Sequence, residues 1–321
     1  MLNQEIASAP LSGRNWSRRN FVRAGSAGLA SLSVMSSKLG AFQNQAPQQQ
    51  QQRAKMTITK IKGDLYEVEG GGGNVAVLAT NDGVIIVDAK NYGDQFYEAL
   101  MAQIKTVTDK PVKYLLNSHY HADHIGTNAQ FVAAGTLIVQ QANARKCIVG
   151  RVETRRPPAP QPPQGVPAHI SFVDETAVYL GGKEVRLRHF GPGHTTGDAF
   201  IFFPEERILH TGDMLSNIGD TFGPLVDYDC GGSVINYTKV LDEVLKFDFD
   251  IVIPGHGPVT NKAGLQVHRA NVEKFRNRAW SLIHEGKGDE YVTKVIGEEY
   301  KWNANNLNMW WTMPGVLKEL A

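Results

Sequence analysis

VKYLLNSHYHADH, residues Val112 to His124, is the most informative segment of the 321-residue chain. Its first half is apolar enough for a buried strand. Its second half places four metal-competent side chains within six residues: His119, His121, Asp123 and His124. Because side chains alternate along an extended segment, His119 and His121 point to the same side and can bind one ion together. Asp123 and His124 follow where a predicted helix begins, and they can face a second ion.

Three more apolar strands end in glycine-containing turns, and each turn presents one candidate ligand. The turns are Gly191-Pro-Gly-His194, His210-Thr-Gly-Asp213 and Pro254-Gly-His256. Sites in sheets covered by helices form at such strand ends. Imidazole nitrogens and carboxylate oxygens are ligands that zinc accepts readily. Five of the ten histidines and two aspartates share four strand ends, which chance does not arrange, so the set predicts a metal site.

The remaining histidines carry a weaker signal. A lone histidine is more often a satisfied core or surface residue than a ligand, and this is our interpretation of His169, His189, His268 and His284. His210 precedes the aspartate turn directly, and we expect it at best to support a ligand.

Strand-rich and helical stretches alternate in two halves of the chain. This order favours either two sheets packed face to face with helices outside or a doubly wound sheet. Asn81-Asp-Gly83 predicts a hairpin turn, because these residues tolerate positive φ. The predicted strands start near residues 57, 65, 75, 84, 112, 136, 185, 199, 207 and 251. The predicted helices cover about 95–106, with an apolar stripe of Phe96, Leu100 and Ile104, then 123–134, 233–245, 267–283, 290–299 and a short piece near Leu317.

These motifs together resemble the metallo-β-lactamase superfamily, over roughly Met56 to Pro258. The buried strand that ends in Asp88 adds to the likeness. The resemblance implies an α+β fold, a four-layer αβ/βα sandwich with the metals at one edge between the sheets and a short C-terminal helical extension. It also implies a role for each residue. His119, His121 and His194 hold the first metal; Asp123, His124 and His256 hold the second; Asp213 bridges the two; and Asp88 holds the His-rich loop by hydrogen bonds.

The function implied by the resemblance is hydrolysis of a small carbonyl substrate: a β-lactam, lactone, ester or thioester. A hydroxide shared by two zinc ions would attack the carbonyl carbon, and Asp123 would act as a catalytic residue that orients the hydroxide and relays its proton. The true β-lactamases of the superfamily mostly lack an aspartate at the position of Asp213, which instead resembles the glyoxalase II type. Iron or manganese is compatible with the two carboxylates.

Two other functions remain open from the sequence. One is a sulfur dioxygenase that uses a single iron, although such relatives use fewer protein ligands. The other is a non-catalytic, metal-binding accessory protein. A nucleic-acid substrate is disfavoured, because the net charge is only +1 and no basic surface is indicated.

The N-terminal region predicts export rather than a fold. Ser17 to Val22 resembles the twin-arginine motif, and the apolar stretch that follows is too short for a stable membrane anchor. We therefore expect a periplasmic or secreted protein that uses the twin-arginine export machinery. The expected divisions are a signal peptide at 1–41, a disordered Gln-rich linker at 42–55, the metallo-β-lactamase-like domain at 56–262 and the helical extension at 263–321. Cys147 and Cys230 are expected to be unpaired, although an oxidising compartment would allow them to pair.

Several segments have more than one interpretation. Gly70 to Asn74 is either a flap over the site or a plain hairpin. The segment Met214 to Gly232, with Phe222, Tyr228 and Cys230, is a candidate wall of the pocket. The aromatic residues Trp302, Trp310 and Trp311 indicate core packing rather than an oligomer contact. The proline-rich stretch from 155 to 167 predicts an irregular surface loop.

Overall fold

In a computed structural model of the chain, the described residues are 55–150, 165–216, 223–304 and 306–321. The predicted signal peptide, nearly all of the predicted linker, most of the proline-rich stretch and Phe222 lie outside these ranges. Across the described ranges, no helix is both long and apolar enough to cross a membrane. The fold below is that of the unit Arg53–Ala321.

The first sheet has seven strands that lie side by side in chain order. Strands β1 to β4 are antiparallel, and β4 to β7 are parallel. The predicted hairpin turn is confirmed, since Thr80 pairs with Gly83 across Asn81 and Asp82. The strands are β1 Thr57–Lys62, β2 Leu65–Glu69, β3 Val75–Thr80, β4 Gly83–Val87, β5 Val112–Asn117, β6 Leu137–Gln141 and β7 Ile170–Phe172.

The second sheet has six strands in the order β13-β12-β11-β10-β9-β8. Its neighbours are antiparallel except for β11 and β12, which run parallel, so their carboxyl ends meet at one edge. The strands are β8 Glu175–Leu180, β9 Lys183–Arg188, β10 Phe200–Phe203, β11 Ile208–His210, β12 Ile251–Ile253 and β13 Thr260–Asn261.

The helices of the described part lie between and after these strands. They are α1 Asp94–Lys105, α2 Ala122–Ile125, α3 Asn128–Ala133, α4 Ala142–Val149, α5 Val234–Val244, α6 Lys262–His284, α7 Asp289–Tyr300 and α8 Met313–Leu320. Short 3-10 turns lie at Gly212–Met214 and Tyr228–Cys230, and a π-helical turn at Asn308–Thr312 leads into α8.

Strand alternation builds three apolar layers. Ile85 and Val87 point inward, where they share a core with Ile201 and Phe203 of the facing sheet. The outward residues of the first sheet pack against α1, whose predicted stripe of Phe96, Leu100 and Ile104 is buried. The outward residues of the second sheet, such as Phe200, Phe202 and Leu209, pack against α5, α6, α7 and α8. The result is the four-layer α+β sandwich, formed by two sheets rather than one doubly wound sheet.

The helix predicted from Asp123 to Ala134 is wrong in one respect, because it is broken into α2 and α3 at Gly126. The amide N–H of Gly126 donates to the carbonyl of Lys90 (2.8 Å) and that of Thr127 to the carbonyl of Ala89 (3.2 Å). A Cβ at position 126 would collide with the backbone of Asn91 and Tyr92. The close approach of this neighbouring segment therefore ends the helix. Strands β7, β8 and β13 and helix α4 were not predicted.

The expectation that the two cysteines are unpaired is also wrong. Cys147 of α4 and Cys230 of the second 3-10 turn form a disulfide, with their Cα atoms 6.3 Å apart and 83 positions apart in sequence. Neither residue type nor spacing indicates this contact, because α4 packs beside the first sheet and Cys230 belongs to a segment that follows the second.

Candidate metal centre

The predicted ligands come from loops at strand ends, and the structure brings all seven together. The loop after β5 supplies four of them, His194 lies in the turn before β10, Asp213 follows β11 and His256 follows β12. They form two groups in which the candidate ligand atoms lie within 4.8 Å of one another. The groups are His119, His121, His194 and Asp213, and then Asp123, His124 and His256.

Asp213 lies between the two groups. Its Oδ2 is 3.8 Å from His194 Nε2 in the first group. Its Oδ1 is 3.3 Å from His124 Nε2 and 3.5 Å from His256 Nε2 in the second. The second group is also tight within itself, since Asp123 Oδ2 is 3.0 Å from His256 Nε2. One carboxylate therefore faces both groups, which is the arrangement that a bridging ligand requires.

The histidine rings are held in place by contacts on the side away from the site. His119 Nδ1 lies 2.9 Å from Ser118 Oγ, and His194 Nδ1 donates to the carbonyl of Leu225 at 2.8 Å. His124 Nδ1 and His121 Nε2 each lie 2.8 Å from a carboxylate, Asp88 and Asp227 respectively. A hydrogen bond from one ring nitrogen fixes the tautomer and leaves the other nitrogen as a lone-pair donor. His119 Nε2, His121 Nδ1, His124 Nε2 and His194 Nε2 are thus available to a metal.

The centre fits a divalent metal by its donor atoms and by its packing. Among the described residues, His119 Nε2 is buried without a hydrogen-bond partner, although buried polar atoms are nearly always satisfied. Glycines leave the space that the ligands occupy: a Cβ at Gly73 would collide with the ring of His124, and one at Gly255 with the carboxylate of Asp213. A buried ring nitrogen with no hydrogen-bond partner is available to bind a metal. Imidazole nitrogen and carboxylate oxygen together suit a divalent ion.

Charge in the centre is divided between carboxylates and imidazoles. Burial raises the pKa of Asp213, but His256 and His124 outweigh burial, and the pKa lies well below its usual range. The same balance lowers the pKa of Asp123, where His124 and His256 act against burial. Burial lowers the pKa of His124, yet Asp213, Asp123 and Asp88 reverse this and raise it. Both carboxylates are therefore ionised near neutral pH, as metal ligands must be.

Asp88 lies where the resemblance implied, behind the His-rich loop. Its two carboxylate oxygens accept from Ser118 N and Ser118 Oγ, both at 2.7 Å, and from His124 Nδ1. The residue has a φ of 67°, in the left-handed region that aspartate tolerates better than most residues. This conformation turns the chain sharply after β4 and aims the carboxylate at the loop.

The glycine segment Gly70 to Asn74 is the hairpin loop between the antiparallel strands β2 and β3, and it is anchored to the ligand loops. Gly73 N donates to the carbonyl of Asp123 (3.0 Å) and Asn74 N to that of Gly255 (2.7 Å). The side-chain amide of Asn74 donates to the carbonyls of Pro254 and Gly257, on either side of His256. The segment therefore connects the loop after β5 with the loop after β12, so it joins ligand loops from both sheets.

Lys90, which was not predicted from the sequence, anchors this glycine segment through its ammonium group. Its Nζ is fully buried and donates to the carbonyls of Val68 (2.6 Å) and Gly73 (2.8 Å). Burial lowers the pKa of this ammonium group to about 7, with Glu67 the largest opposing charge. A lysine two positions after a strand-end aspartate is an ordinary surface pattern, so its burial could not be predicted from the sequence.

Sequence reasoning also missed Asp227, which orients His121. Its Oδ2 accepts from the hydroxyl of Tyr120 and contacts His121, while its Oδ1 accepts from the backbone amides of Asp229 and Cys230. The residue is completely buried, and although burial opposes ionisation, His121 and Tyr120 lower its pKa. It lies 106 positions from His121, so no local motif marks it.

The histidines outside the metal set have other contacts. His210 Nε2 donates to the carbonyl of Asn74 at 3.2 Å, and its Nδ1 accepts from Gly212 N, so it supports the turn that carries Asp213. His189 Nδ1 donates to the carbonyl of Asp198, and His169 Nδ1 accepts from Ile138 N. His268 is buried on α6, and His284 stacks on Trp280. None of the five belongs to either ligand group of the described residues.

A family model described as the metallo-beta-lactamase superfamily matches residues 68–256, which is more than half of the chain and contains every predicted ligand. The chain belongs to this superfamily. The fold agrees with a solved metallo-beta-lactamase from Pontibacter korlensis, with a TM-score of 0.59 and 17% identity over 68% of this chain and 99% of that one. Members of the superfamily include metal-dependent hydrolases, and this chain has their fold together with a metal-binding cluster of histidines and aspartates.

Two relatives match this chain with similar sequence identity, although their names describe different reactions. The 2,4-dinitroanisole O-demethylase subunit alpha of Nocardioides sp. (strain JS1661) is 26% identical over 204 residues, 63% of this chain and 57% of that protein. The metallo-beta-lactamase type 2 of Bacteroides fragilis is 27% identical over 214 residues, 63% of this chain and 79% of that protein. The chain thus spans little more than half of the demethylase subunit's length.

Proposed function

We propose that the protein is an exported hydrolase that uses two zinc ions to open a small carbonyl substrate: a β-lactam, lactone, ester or thioester. The observation that carries this proposal is Asp213, whose two carboxylate oxygens face both ligand groups. Either group alone has enough candidate ligands for a single ion. Two groups that share one carboxylate suit a pair of ions a few Å apart.

The choice of zinc rests on the donor set. Five of the seven candidate ligands are imidazoles, which suit zinc, and the two carboxylates are also zinc ligands. The same set accepts iron or manganese, so metal analysis of the protein purified from its own host decides between them. One iron per chain, with oxygen consumption on a persulfide, would instead support a sulfur dioxygenase.

When bound, such ions lower the pKa of water and polarise a carbonyl oxygen. The side chains of the protein supply position and proton transfer. Asp123 is ionised, and its side chain is 32% exposed, whereas that of Asp213 is 4% exposed. Oδ2 of Asp123 is therefore the carboxylate oxygen that can accept a proton from the attacking water and pass it to the leaving group or to solvent.

The two relatives do not indicate one substrate class, because a β-lactamase and an O-demethylase subunit take part in different reactions. The deciding experiment offers one panel to the zinc-loaded protein: a chromogenic cephalosporin, a lactone, an aryl ester and a thioester, each with and without chelator. Turnover of at least one of them at ~1 s⁻¹ or more, abolished by chelator and restored by zinc, is expected.

The matched control for this panel is a histidine that lies outside both groups. Asp213→Ala should abolish turnover and reduce bound zinc, while His189→Ala should retain both, because His189 only contacts the carbonyl of Asp198. If no member of the panel is hydrolysed by the fully zinc-loaded protein, the hydrolase proposal is wrong, and an accessory metal-binding role takes its place.

Export is part of the proposal, and the disulfide supports it. Disulfides persist in oxidising compartments and are rare in the reducing cytosol. The Cys147–Cys230 bond therefore agrees with the twin-arginine motif at Ser17 to Val22, which indicates a periplasmic or secreted protein. The two features are independent, since one comes from the N-terminal sequence and the other from the folded unit.

A further inference from the structure

Trp311 lies against the metal centre, although it belongs to the C-terminal region beyond the family match. Its ring centroid is 5.1 Å from that of His121 and 6.4 Å from that of His194, two ligands of the first group. Trp310 stacks beside it, with centroids 6.5 Å apart and planes inclined by 24°. Trp311 of the π-helical turn at Asn308–Thr312 thus reaches the edge of the centre, and Trp310 lies next to it.

An open cleft adjoins this pair of indoles. It opens to solvent and is lined by Tyr228, Asp229, Trp310, Trp311, Pro314 and Gly315. Trp311 is shared by the cleft and the metal centre. Aromatic rings and a proline dominate the lining, and Asp229 contributes the one carboxylate. A substrate whose carbonyl reaches the ligand groups can therefore extend its other end into the cleft.

The indoles are held in position by the helix that follows them. Thr312 Oγ1 accepts from Val226 N at 3.1 Å, just before the segment that holds His121 through Asp227. Further along, the carboxylate of Glu319 accepts from the hydroxyl of Tyr228 (2.7 Å) and from Val234 N (2.8 Å). A cleft whose walls are fixed before binding needs little reordering to accept a ligand.

The three C-terminal tryptophans differ in burial, which separates packing from recognition. Trp302 is 4% exposed and lies in the core beside Phe275, as the sequence predicted. Trp310 is 41% exposed, and Trp311 is only partly buried. Burying apolar area explains Trp302, but it does not explain why two large indoles are placed at the mouth of a metal centre.

We infer that the cleft is the subsite for a planar aromatic group of the substrate, with Trp311 as the residue that determines this specificity. The inference rests on the proposed hydrolase function and narrows its substrate to arylacetyl or benzyl esters, thioesters and related lactones or lactams. Stacking on an indole face adds affinity beyond that of buried area, and a saturated ring of similar size gains only the area.

The test compares two carboxylic acids that differ only in the ring, phenylacetate and cyclohexylacetate. Each resembles the acid product of such a hydrolysis, and binding of each to the purified zinc-loaded protein is measured by calorimetry. We expect phenylacetate to bind roughly threefold to tenfold more tightly. Trp311→Ala should bring this ratio to about one, and Trp311→Leu, which keeps apolar bulk, should do the same.

Two controls separate recognition from loss of the metal centre. Trp280→Ala removes an exposed tryptophan that stacks on His284, away from the cleft lining, and should leave the ratio unchanged. Zinc content is measured for every variant and should match the wild-type value. For benzyl and cyclohexylmethyl esters, the Trp311 variants should raise KM for the benzyl ester selectively and change kcat little.

The outcomes distinguish the inference from the function on which it rests. Equal affinity of the wild-type protein for the two acids, or a preference that survives in both Trp311 variants, overturns the inference even if esters are hydrolysed. A preference that depends on Trp311, with no turnover of any carbonyl substrate, supports the aromatic subsite and contradicts the hydrolase proposal alone.

Discussion

His121 is positioned by a single carboxylate behind it. Asp227 contacts Nε2 of the ring, so the proton of the neutral imidazole lies on that nitrogen and the lone pair of Nδ1 faces the first ligand group. His194 Nε2, 2.9 Å from His121 Nδ1, shows that two lone-pair nitrogens converge there. Two such nitrogens repel each other unless a cation or proton lies between them, so this contact also favours a bound metal.

Asp227→Asn should weaken metal binding without unfolding the protein. The Oδ1 atom of asparagine can still accept from the amides of Asp229 and Cys230, which preserves the turn. Its amide group, however, donates to His121 Nε2 and drives the ring proton to Nδ1, where it blocks the metal. We expect zinc affinity to fall about 10-fold to 100-fold, measured by competition with a chromophoric chelator. Asp109→Asn, at an exposed position, is the control. Unchanged affinity in Asp227→Asn would show that Asp227 does not set the tautomer.

Among individual residues, the sequence predicted the seven side chains that the structure brings together, but not the residues behind them. The seven candidates follow strand ends in short motifs, and local spacing places them on one edge. The role of Asp88 was implied by the family resemblance, which includes the buried strand that it ends. Asp227 and Lys90 act through contacts with segments distant in sequence, and a single sequence holds no record of such contacts.

The glycine segment Gly70–Gly73 acts as a connector between elements. It follows β2, contacts the loop after β5 through Gly73 and is anchored by Lys90. Its lack of side chains lets the backbone approach His124 closely. Flexibility is the property usually assigned to a run of glycines, but here close approach is the property that the fold uses.

Gly73→Ala should remove the second metal while the first remains. The added Cβ would collide with the ring of His124, whose Nε2 belongs to the second ligand group, whereas none of the first group's rings is among its nearest neighbours. We expect elemental analysis after gel filtration to give about one zinc per chain in place of about two. Gly288→Ala, where a Cβ meets nothing within 4 Å, should keep both. If Gly73→Ala still binds two zinc ions, the loop moves enough to accommodate the added Cβ, and the prediction is wrong.

The disulfide joins helix α4 to the segment that carries Asp227. It closes a long loop of the chain, so it restricts the unfolded state strongly. Replacing both cysteines by serine should lower the free energy of unfolding by roughly 2–4 kcal/mol, measured by urea denaturation. Reductant should destabilise the wild-type protein to a similar extent and leave the double variant unaffected. If reductant destabilises both equally, its effect does not arise from this bond.

Among the strands and helices, every strand that leads into a candidate ligand was predicted, and the strands that were missed carry none. Strand β8 and helix α4 have mixed composition, with Tyr179 exposed on β8 and Lys146 on α4, so their periodicity is weak. Their conformation is set by pairing with β9 and packing on β6, both tertiary contacts. The break at Gly126 likewise depends on the neighbouring Asn91, which helix propensity does not include.

Across the whole molecule, the centre joins parts of the chain that fold on different sheets. The first sheet supplies the loop after β5, the second supplies Asp213 and His256, and the C-terminal region adds Trp311. A metal bound there would therefore connect both sheets. The helices that follow the predicted domain boundary at 262 share one hydrophobic core with the second sheet. Metal binding at this centre is therefore expected to stabilise the fold as well as to serve the proposed reaction.

The same coupling makes a prediction about the order of export, metal binding and disulfide formation. On the proposed twin-arginine route the protein would cross the membrane folded, so the chain would have to fold in the reducing cytosol before Cys147 and Cys230 could form their bond. The reduced protein would then need to be stable enough to fold, and a bound metal would contribute to that stability. Arg18→Lys with Arg19→Lys should retain the protein inside the cell as a folded, metal-containing form with two thiols.

Fractionation with thiol labelling tests this order. The wild-type protein should appear in the periplasm or medium with both cysteines protected from an alkylating reagent, and the double lysine variant in the cytosol with both labelled. Arg14→Lys, which lies before the motif, is the control and should be exported normally. A double variant that is still exported would show that the arginine pair is not the signal. A cytosolic form that is unfolded and metal-free would show instead that the disulfide must form before the fold, which is incompatible with export of a folded chain.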